Sequence, residues 1–384
     1  MIVPDSAWDP TLRALLEHMA RVEASDLYLA AGSPPVFRID GVGMPAKVAL
    51  TSDQISAMAD SLMDLPHRDE LRERLEMNLA LQTASGLRFR ANMYFQRGAV
   101  GMVVRLVRTQ IKTLAELQLP PVLETVMASK RGLVLVVGGT GSGKSTTLAA
   151  MLDHRNRAGG GHIITVEDPI EFVHSHRGCV VSQREVGIDT RTYHDALKNA
   201  LRQAPDVILI GEIRDAETME AAMSFAETGH LCVSTLHANN ANQAVERVLN
   251  FFPTARHHEI KLQLSLNLRA VISQRLVLGQ RGGRAAALEV MLDTPRIKDL
   301  IKRGEIDALK DAMEQGRNEG CQTFDAALLE LVAERRVTDA EALRAADSPN
   351  NLRLRIDRHW RSGGIVTAKD PPLRLVGQLA AVSR

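Results

Sequence analysis

The chain has few cysteines and no long apolar run, and each absence excludes a class of protein. The three cysteines, Cys179, Cys232 and Cys321, are odd in number and far apart. They predict neither a disulfide framework nor a Cys-x-x-Cys zinc site, so we expect a reducing cytoplasm. No apolar run comes near the roughly 18 residues of a membrane span, and the N-terminus lacks the basic and apolar segments of a signal peptide. We therefore expect a chain that is neither membrane-spanning nor exported.

Net charge is also nearly absent. Lysine and arginine total 47 against 46 aspartate and glutamate residues, which leaves a net charge of +1. There is no strip of mixed aromatic and basic residues either, so we expect no nucleic acid among the partners. A chain of 384 residues exceeds one ordinary domain, and two domains with a tail are expected.

The most informative stretch is 133–147, LVLVVGGTGSGKSTT. Its short, valine-rich start predicts a buried parallel strand, and a glycine-dense turn follows at once. The spacing from Gly138 to Ser145 fits G-x-x-x-x-G-K-[ST], a loop whose backbone N–H groups surround phosphates. Lys144 is then placed for the β/γ-phosphates of ATP, and the Ser145 hydroxyl for Mg²⁺. A glycine-rich hairpin, the alternative, does not explain why strand, loop and helix follow in this order. The predicted nucleotide site comprises Gly138, Gly139, Thr140, Gly141, Ser142, Gly143, Lys144, Ser145 and Thr146.

Hydrophobic periodicity divides the rest of the chain into two units. In the N-terminal unit we predict helices over 11–24, 53–64 and 67–76 and strands over 26–29, 36–39, 87–95 and 100–107. In the larger unit we predict helices over 122–130, 145–157, 192–203, 215–228 and 239–250, strands over 162–167, 207–211 and 231–236, and a strand-like pair at 274–278 and 284–290. Alternating helices and strands predict a mostly parallel sheet covered by helices, the α/β class.

These patterns set the predicted domain boundaries. An N-terminal α+β domain spans 1–108, and a linker over 109–121 closes with Leu119-Pro120-Pro121. The α/β domain spans 122–291 and a helical region spans 292–356. Glycine, proline and many basic residues predict a flexible tail over 357–384.

Two predicted strands end in acidic residues. The first runs into Glu167, Asp168 and Glu171, and the second delivers Glu212. A nucleotide hydrolase needs such carboxylates to hold Mg²⁺ through its waters and to orient the attacking water. For the first cluster, the alternative is an acidic surface turn.

The strand that ends at Glu212 has the pattern of a Walker B element, with one departure. Gly211 occupies the position where a metal-associated aspartate usually sits. We therefore expect Mg²⁺ to depend on Ser145, Glu212 and waters.

Two histidines, His230 and His237, flank the predicted strand 231–236. The carboxyl end of this strand should lie beside Glu212, where His237 can respond to a γ-phosphate. The two rings are seven residues apart across a strand, so they cannot converge on one metal, and no third ligand is evident. Purely structural histidines remain the alternative.

The motifs together resemble the secretion-type ATPase superfamily, and within it the type IV pilus retraction ATPases. They are GGTGSGKST at 138–146, VEDPIEF at 166–172, SQREVG at 182–187, LRQAPDVILIGEIRD at 201–215 and ETGHLCVSTLHANNA at 227–241. The runs GCQTFDAAL at 320–328 and ADSPNNLRLRI at 346–356 are more similar to the PilU-type branch than to the PilT-type branch. The four-cysteine zinc insertion of the extension enzymes is absent, which favours retraction.

The resemblance implies a RecA-like P-loop ATPase core, a smaller N-terminal PAS-like α+β domain, a helical C-terminal region and a hexameric ring that uses ATP and Mg²⁺. It implies an acidic box at Glu167, Asp168 and Glu171, with Glu171 as the general base. Glu212 matches the Walker B glutamate, and His230 with His237 match the histidine box. The implied metal site comprises Ser145, Glu212, Glu167 and Asp168. Arginines of the N-terminal domain complete the nucleotide site, and the candidates are Arg90, Arg97 and Arg105.

The resemblance also implies partners. We expect a homo-hexamer or a hetero-assembly with a PilT-like ATPase, acting on an inner-membrane platform protein of the pilus from the cytoplasmic side.

The stretch 294–302, TPRIKDLIK, keeps the pattern of the family's Ala-Ile-Arg helix and loses that order of residues. This favours a chain that acts together with a PilT-like motor. Two alternatives stay open, namely a nucleotide-binding adaptor that stiffens a partner ring and a ring ATPase that moves DNA.

Overall fold

The computed structural model describes residues 4–39, 41–107 and 110–361. Contacts between its Cα atoms divide the chain into two compact units. The first unit comprises Met1–Ile111, Pro169–His174 and Gly187–Asp189, and the second comprises Lys112–Asp168, Ser175–Val186 and Thr190–Arg384. No helix in the described ranges is both long and apolar enough to cross a bilayer.

The first unit contains a six-stranded antiparallel sheet and three helices. Along the chain these are α1 (Pro10–Arg21), β1 (Asp26–Leu29), β2 (Val36–Ile39), β3 (Val42–Pro45), α2 (Ser52–Ser61), α3 (Leu65–Arg74), β4 (Glu76–Gln82), β5 (Arg88–Gln96) and β6 (Ala99–Val107). The strand order is β3-β2-β1-β6-β5-β4.

Local sequence explains why these elements form where they do. Helix α1 buries Leu12, Leu16 and Met19 on one face, and the Asp9 side chain caps its N-terminus. Burial alternates along strand β5, with Phe89, Ala91 and Met93 in the core. Strands β3 and β4 were not predicted. The helix predicted over 67–76 ends at Arg74, because Leu75 turns into the left-handed region at φ 63°.

The second unit is built on a seven-stranded sheet. Its strands are β7 (Gly132–Val137), β8 (His162–Glu167), β9 (Val180–Glu185), β10 (Val207–Ile210), β11 (Leu231–Leu236), β12 (Leu268–Leu278) and β13 (Arg284–Leu292). They lie in the order β13-β12-β7-β11-β10-β8-β9, with β13 antiparallel to β12 and every other neighbouring pair parallel. The mostly parallel α/β sheet is therefore confirmed.

Helices cover this sheet and continue beyond it. They are α4 (Val122–Met127), α5 (Lys144–Ala158), α6 (Tyr193–Ala200), α7 (Ala216–Glu227), α8 (Ala241–Asn250), α9 (His257–Asn267), α10 (Pro295–Arg303), α11 (Leu309–Gln315), α12 (Phe324–Ala333), α13 (Asp339–Ala345) and α14 (Pro349–Arg361). One core packs the strands against α6 to α11, and a second packs them against α4 and α5. All six residues of β7 are buried, as the continuous apolar run predicts.

Three departures from the predicted pattern occur in the second unit. Strand β9 was not predicted as a strand, and β12 begins at Leu268, six residues before the predicted 274. Helix α14 continues to Arg361, so residues 357–361 of the predicted tail are helical. The rest of that tail, 362–384, lies outside the described residues. The three cysteines are free and buried.

Buried Glu289 on β13 gives stability a specific pH dependence. Its Oε1 accepts hydrogen bonds from the Ala241 backbone N–H (2.7 Å) and the Ser273 hydroxyl (3.0 Å). Burial raises the pKa of Glu289, and these two bonds offset only part of that rise. The folded state then holds the proton to higher pH than the unfolded state, so stability falls as pH rises through the window above the ordinary value of 4.5.

We expect Glu289→Gln to remove this slope, which is at most about 1.4 kcal/mol per pH unit for one proton. Urea unfolding measured from mildly acidic to neutral pH checks the result. The matched control is Glu334→Gln, at an exposed glutamate, which should keep the wild-type slope. An unchanged slope in Glu289→Gln would contradict the assignment.

Candidate functional site

The phosphate loop lies between β7 and α5, in the predicted order of strand, loop and helix. Gly138, Gly141 and Gly143 have φ values of 152°, 76° and 89°, which favour glycine. The Lys144 Nζ donates to the backbone oxygens of Gly138 (2.8 Å) and Gly139 (3.0 Å), so the loop curls around the ammonium group. Burial lowers the pKa of Lys144, while Glu212 opposes that shift. The loop thus presents one cation beside a row of backbone N–H groups.

Four chain segments meet at the same edge of the sheet because parallel strands end together. The phosphate loop follows β7, Glu167 ends β8, Glu212 follows β10 and His237 follows β11. The register pairs Leu236 with Val137. In open parallel sheets, ligands bind at the carboxyl ends of the strands.

Glu212 is held from two sides. Its Oε2 accepts a hydrogen bond from Arg214 Nε (2.6 Å), and its Oε1 lies 2.8 Å from His237 Nε2. The Glu212 side chain is only 17% exposed, whereas His237 is 55% exposed. The hydrogen bond to Glu212 raises the pKa of Arg214. The structure therefore brings Glu212 and His237 together, and the Arg214 guanidinium is a cationic neighbour of Glu212.

Arg214 and Tyr193 belong to this cluster and were not predicted. Arg214 also reaches Asp168, with Nη1 3.6 Å from Oδ2. Burial raises the pKa of Tyr193, and the charge of Asp168 adds to the rise. Arg214 lies inside the quoted motif at 201–215, two residues after Glu212, which was its only signal. Nothing in the sequence singled out Tyr193.

The acidic residues after β8 have different surroundings. Glu167 is buried, and its Oε1 accepts from the Thr165 hydroxyl (2.7 Å) and the Gln183 amide (3.2 Å). Asp168 and Glu171 are exposed. Glu171 falls in Pro169–His174, which is grouped with the first unit. Its proposed role as general base stays a prediction.

His230 lies at the other end of β11. Its backbone oxygen accepts from the Gly132 N–H at the start of β7, and its Nδ1 lies 3.1 Å from Thr228 Oγ1. A six-residue strand is roughly 20 Å long, so His230 and His237 of one chain are at opposite edges of the sheet. The structure does not bring His230 to the Glu212 cluster.

The three candidate arginines of the first unit do not all lie together. Arg90 on β5 pairs directly opposite Arg105 on β6. Arg105 Nε donates to buried Asp26 (2.7 Å), which raises the pKa of Arg105, and the charge of Glu171 adds to that shift. Arg97 lies in the β5–β6 turn with φ 50°, roughly 23 Å along the strand from Arg90. One arginine site cannot use both Arg90 and Arg97 of the same chain.

The oxygen-bearing side chains suit a magnesium ion held mainly by phosphate and water. In the ranges that the structure describes, no three His, Cys, Asp or Glu side chains form a metal-binding group. Mg²⁺ commonly keeps several waters and uses one or two protein oxygens plus substrate phosphates. Ser145 in the first turn of α5 supplies a hydroxyl, and Glu212, already engaged by Arg214 and His237, fits a role through water.

Close packing around Gly211 explains why the Walker B strand has glycine where an aspartate is usual. An added Cβ at this position would lie 3.1 Å from the Glu167 Cα, 3.1 Å from the Tyr193 hydroxyl and 3.3 Å from the Val166 oxygen. No side chain fits there unless a neighbour moves. The close approach of β8 and Tyr193 therefore favours glycine at this position.

We expect Gly211→Ala to lower nucleotide hydrolysis about tenfold, because displacement of the strand end moves Glu212. Steady-state turnover checks this result. Gly159→Ala is the matched control, since Gly159 is extended at φ 176° and has open space at its Cβ position. Equal turnover in the two variants would show that the tight packing at Gly211 does not position the acid.

Comparison with known proteins places the chain in a family. Residues 5–281 match the family described as type II/IV secretion system protein. The type IV pilus ATPase PilU of Pseudomonas aeruginosa is 50% identical over 344 residues, covering 89% of this chain and 90% of that protein. The type IV pilus retractation ATPase PilT of the same organism is 42% identical over 342 residues, covering 88% and 98%.

A solved structure agrees with these matches. The crystal structure of the pilus retraction motor PilT with bound ADP matches at a TM-score of 0.83 and 38% identity, covering 88% of this chain and 98% of that one. The RecA-like fold and the resemblance to the PilT/PilU group are thereby confirmed. The chain therefore belongs to the type II/IV secretion system protein family, in its PilT/PilU group, and is an ATPase.

Proposed function

We propose that the chain is a Mg²⁺-dependent motor ATPase that powers retraction of a type IV pilus and hence twitching motility. One observation carries this proposal above the others. Glu212 is clamped between Arg214 and His237 at the same sheet edge as the Lys144 loop. The names of the PilU and PilT relatives support the biological role.

Each group at this edge has a chemical task in the proposal. The loop N–H groups and Lys144 bind the β- and γ-phosphates of ATP, and the Ser145 hydroxyl holds Mg²⁺, which when bound neutralises charge on the phosphate oxygens. Glu171 orients or deprotonates the attacking water. Glu212 organises the metal's waters, and His237 responds to the γ-phosphate through its contact with Glu212.

The assembly is proposed on the same basis. We place the chain in the cytoplasm, peripheral to the inner membrane, in a homo-hexamer or in a hetero-assembly with a PilT-like ATPase at the pilus platform protein. An arginine of the first unit, Arg90, Arg97 or Arg105, supplies charge to the γ-phosphate. Analogous arginines change turnover by roughly 10³–10⁵ in other phosphoryl-transfer enzymes.

A second candidate is an adaptor that binds nucleotide and stiffens a PilT-like ring with little hydrolysis of its own. Helix α10 favours it, because it forms with Ile297, Leu300 and Ile301 buried but carries Arg296-Ile297-Lys298 in place of the Ala-Ile-Arg order.

ATP turnover by the purified chain, alone and with a PilT-like partner, separates the two candidates. The motor predicts turnover well above that of Lys144→Ala in both mixtures. A turnover rate equal to that of Lys144→Ala would contradict the motor and favour the adaptor.

A further inference from the structure

We propose that Gln274 is a positioning residue for the phosphate loop, and that Gln274 and Arg275 together couple this loop to the C-terminal helical region, 309–361. The inference rests on the proposed binding of nucleotide at the loop. It assigns a role to a strand that contributes no group to the chemistry.

Strand β12 places Gln274 directly under the loop. It runs parallel to β7, with Ser273 opposite Val137 as the last pair, so Gln274 lies beside the first loop residue. An added Cβ at Gly138 would lie 2.6 Å from the Gln274 backbone oxygen. An added Cβ at Gly143 would lie 2.8 Å from the Gln274 Nε2. Both ends of the loop therefore lie against Gln274.

The side chain of Gln274 also holds the helix that follows the loop. The Thr147 hydroxyl donates to Gln274 Oε1 at 2.7 Å, and both side chains are buried, at 1% and 3% exposure. Thr147 is in the first turn of α5, two residues after Ser145. A buried hydrogen bond between uncharged groups is costly to break on one side only, because the remaining partner stays desolvated. The bond thus fixes α5 against β12.

The next residue, Arg275, faces the opposite side of β12, as alternation in a strand requires. Its Nη1 donates to the Ala345 oxygen (2.7 Å) and lies 2.7 Å from Asp347 Oδ1, and its guanidinium stacks 3.8 Å from the centre of the Phe324 ring. Asp347 is shared with Lys310 Nζ at 2.9 Å. Arg275 therefore joins α12, α13 and the segment between α13 and α14 to β12.

Charge reinforces this junction. Burial raises the pKa of Asp347, but the hydrogen bond from Lys310 and the charge of Arg275 outweigh burial and hold that pKa below its usual value. The aspartate is therefore ionised at neutral pH, and the junction is a set of paired charges that responds as a unit when one member is removed.

Adjacent residues on one strand thus contact the loop on one side and the C-terminal helices on the other. A shift of β12 that changes the Arg275 junction must also move the surface under Gly138 and Gly143. Coupling of two sites through a shared element is reciprocal. A partner that binds the C-terminal helices should then change the affinity of the loop for nucleotide. Bound nucleotide should in turn change the protection of those helices against hydrogen exchange.

The test measures ADP affinity of the full chain by calorimetry, at a temperature well below unfolding of every variant. We expect Gln274→Met and Arg275→Ala each to raise the Kd for ADP about tenfold, within the usual range of coupling. Thr147→Ser, which keeps the hydroxyl, should bind like the wild type, whereas Thr147→Val should resemble Gln274→Met. The matched control is Arg317→Ala, another arginine of the C-terminal region, whose ion pair with Glu330 (2.7 Å) does not involve β12.

The double variant and hydrogen exchange distinguish coupling from simple loss of stability. The double variant, Gln274→Met with Arg275→Ala, should raise the Kd for ADP by much less than the product of the two single increases, since both substitutions act through one path. ADP should protect the amides of 345–352 in the wild type and not in Gln274→Met. Wild-type affinity in Arg275→Ala, or equal losses in Arg275→Ala and Arg317→Ala, would overturn the inference. Failure of the wild type to bind ADP at all would instead overturn the proposed nucleotide site.

Discussion

Lys144→Ala is expected to lose nucleotide binding and to lower ATP turnover at least about a hundredfold, with the fold retained. Loss of one preorganised group that stabilises transition-state charge commonly costs 10²–10³. Lys144 Nζ lies against the Gly138 and Gly139 oxygens, and burial has already removed part of its hydration. Its charge is therefore available to a phosphate at little further desolvation cost.

Calorimetric ADP binding and steady-state turnover check this result, with circular dichroism to confirm folding. Lys198→Ala is the control, at an exposed lysine in the last turn of α6. A folded Lys144→Ala variant with wild-type turnover would show that the phosphate loop is not part of the catalytic site.

Glu212→Gln is expected to leave ADP affinity nearly unchanged while turnover falls at least about a hundredfold. The substitution keeps the shape and removes the charge, so Arg214 and His237 lose their shared anion. Binding depends mainly on the loop, whereas hydrolysis needs charge at the sheet edge. The expected signature is therefore a loss of kcat with little change in nucleotide affinity.

Glu124→Gln on α4 serves as the control, since Glu124 is exposed in the first helical turn. Single-turnover kinetics separate chemistry from product release. A Glu212→Gln variant that loses ADP affinity as strongly as Lys144→Ala would show that Glu212 acts in binding and not in hydrolysis.

Much of the second unit was predictable because its strands are buried on both faces. Mostly apolar runs located β8 and β11 at their observed bounds, 162–167 and 231–236. The loop and Glu212 then followed, since parallel strands end at one edge of the sheet. Strand β9 was not predicted, because the SQREVG run at 182–187 is mostly polar and has no apolar periodicity.

Contacts between segments that are distant in sequence, and that only the sheet topology brings together, could not be predicted. Arg214, Tyr193 and Gln274 are distant in sequence from the phosphate loop. The order β12-β7-β11-β10-β8 brings β12 and the segment after β10 to one edge of the sheet, and Tyr193, the first residue of α6, lies beside Gly211. The resemblance groups His230 and His237 in one histidine box. The strand between them, which forms at its predicted bounds, instead places the two rings at opposite edges of the sheet.

The central claim is that hydrolysis of ATP by this chain powers pilus retraction. Retraction of fluorescently labelled pili, in cells whose own copy carries Glu171→Gln, tests it most directly, with and without the proposed PilT-like partner. We predict that the variant accumulates and binds ADP like the wild type while retraction events become rare or weak under load. Wild-type retraction in the Glu171→Gln cells, in both backgrounds, would contradict the account.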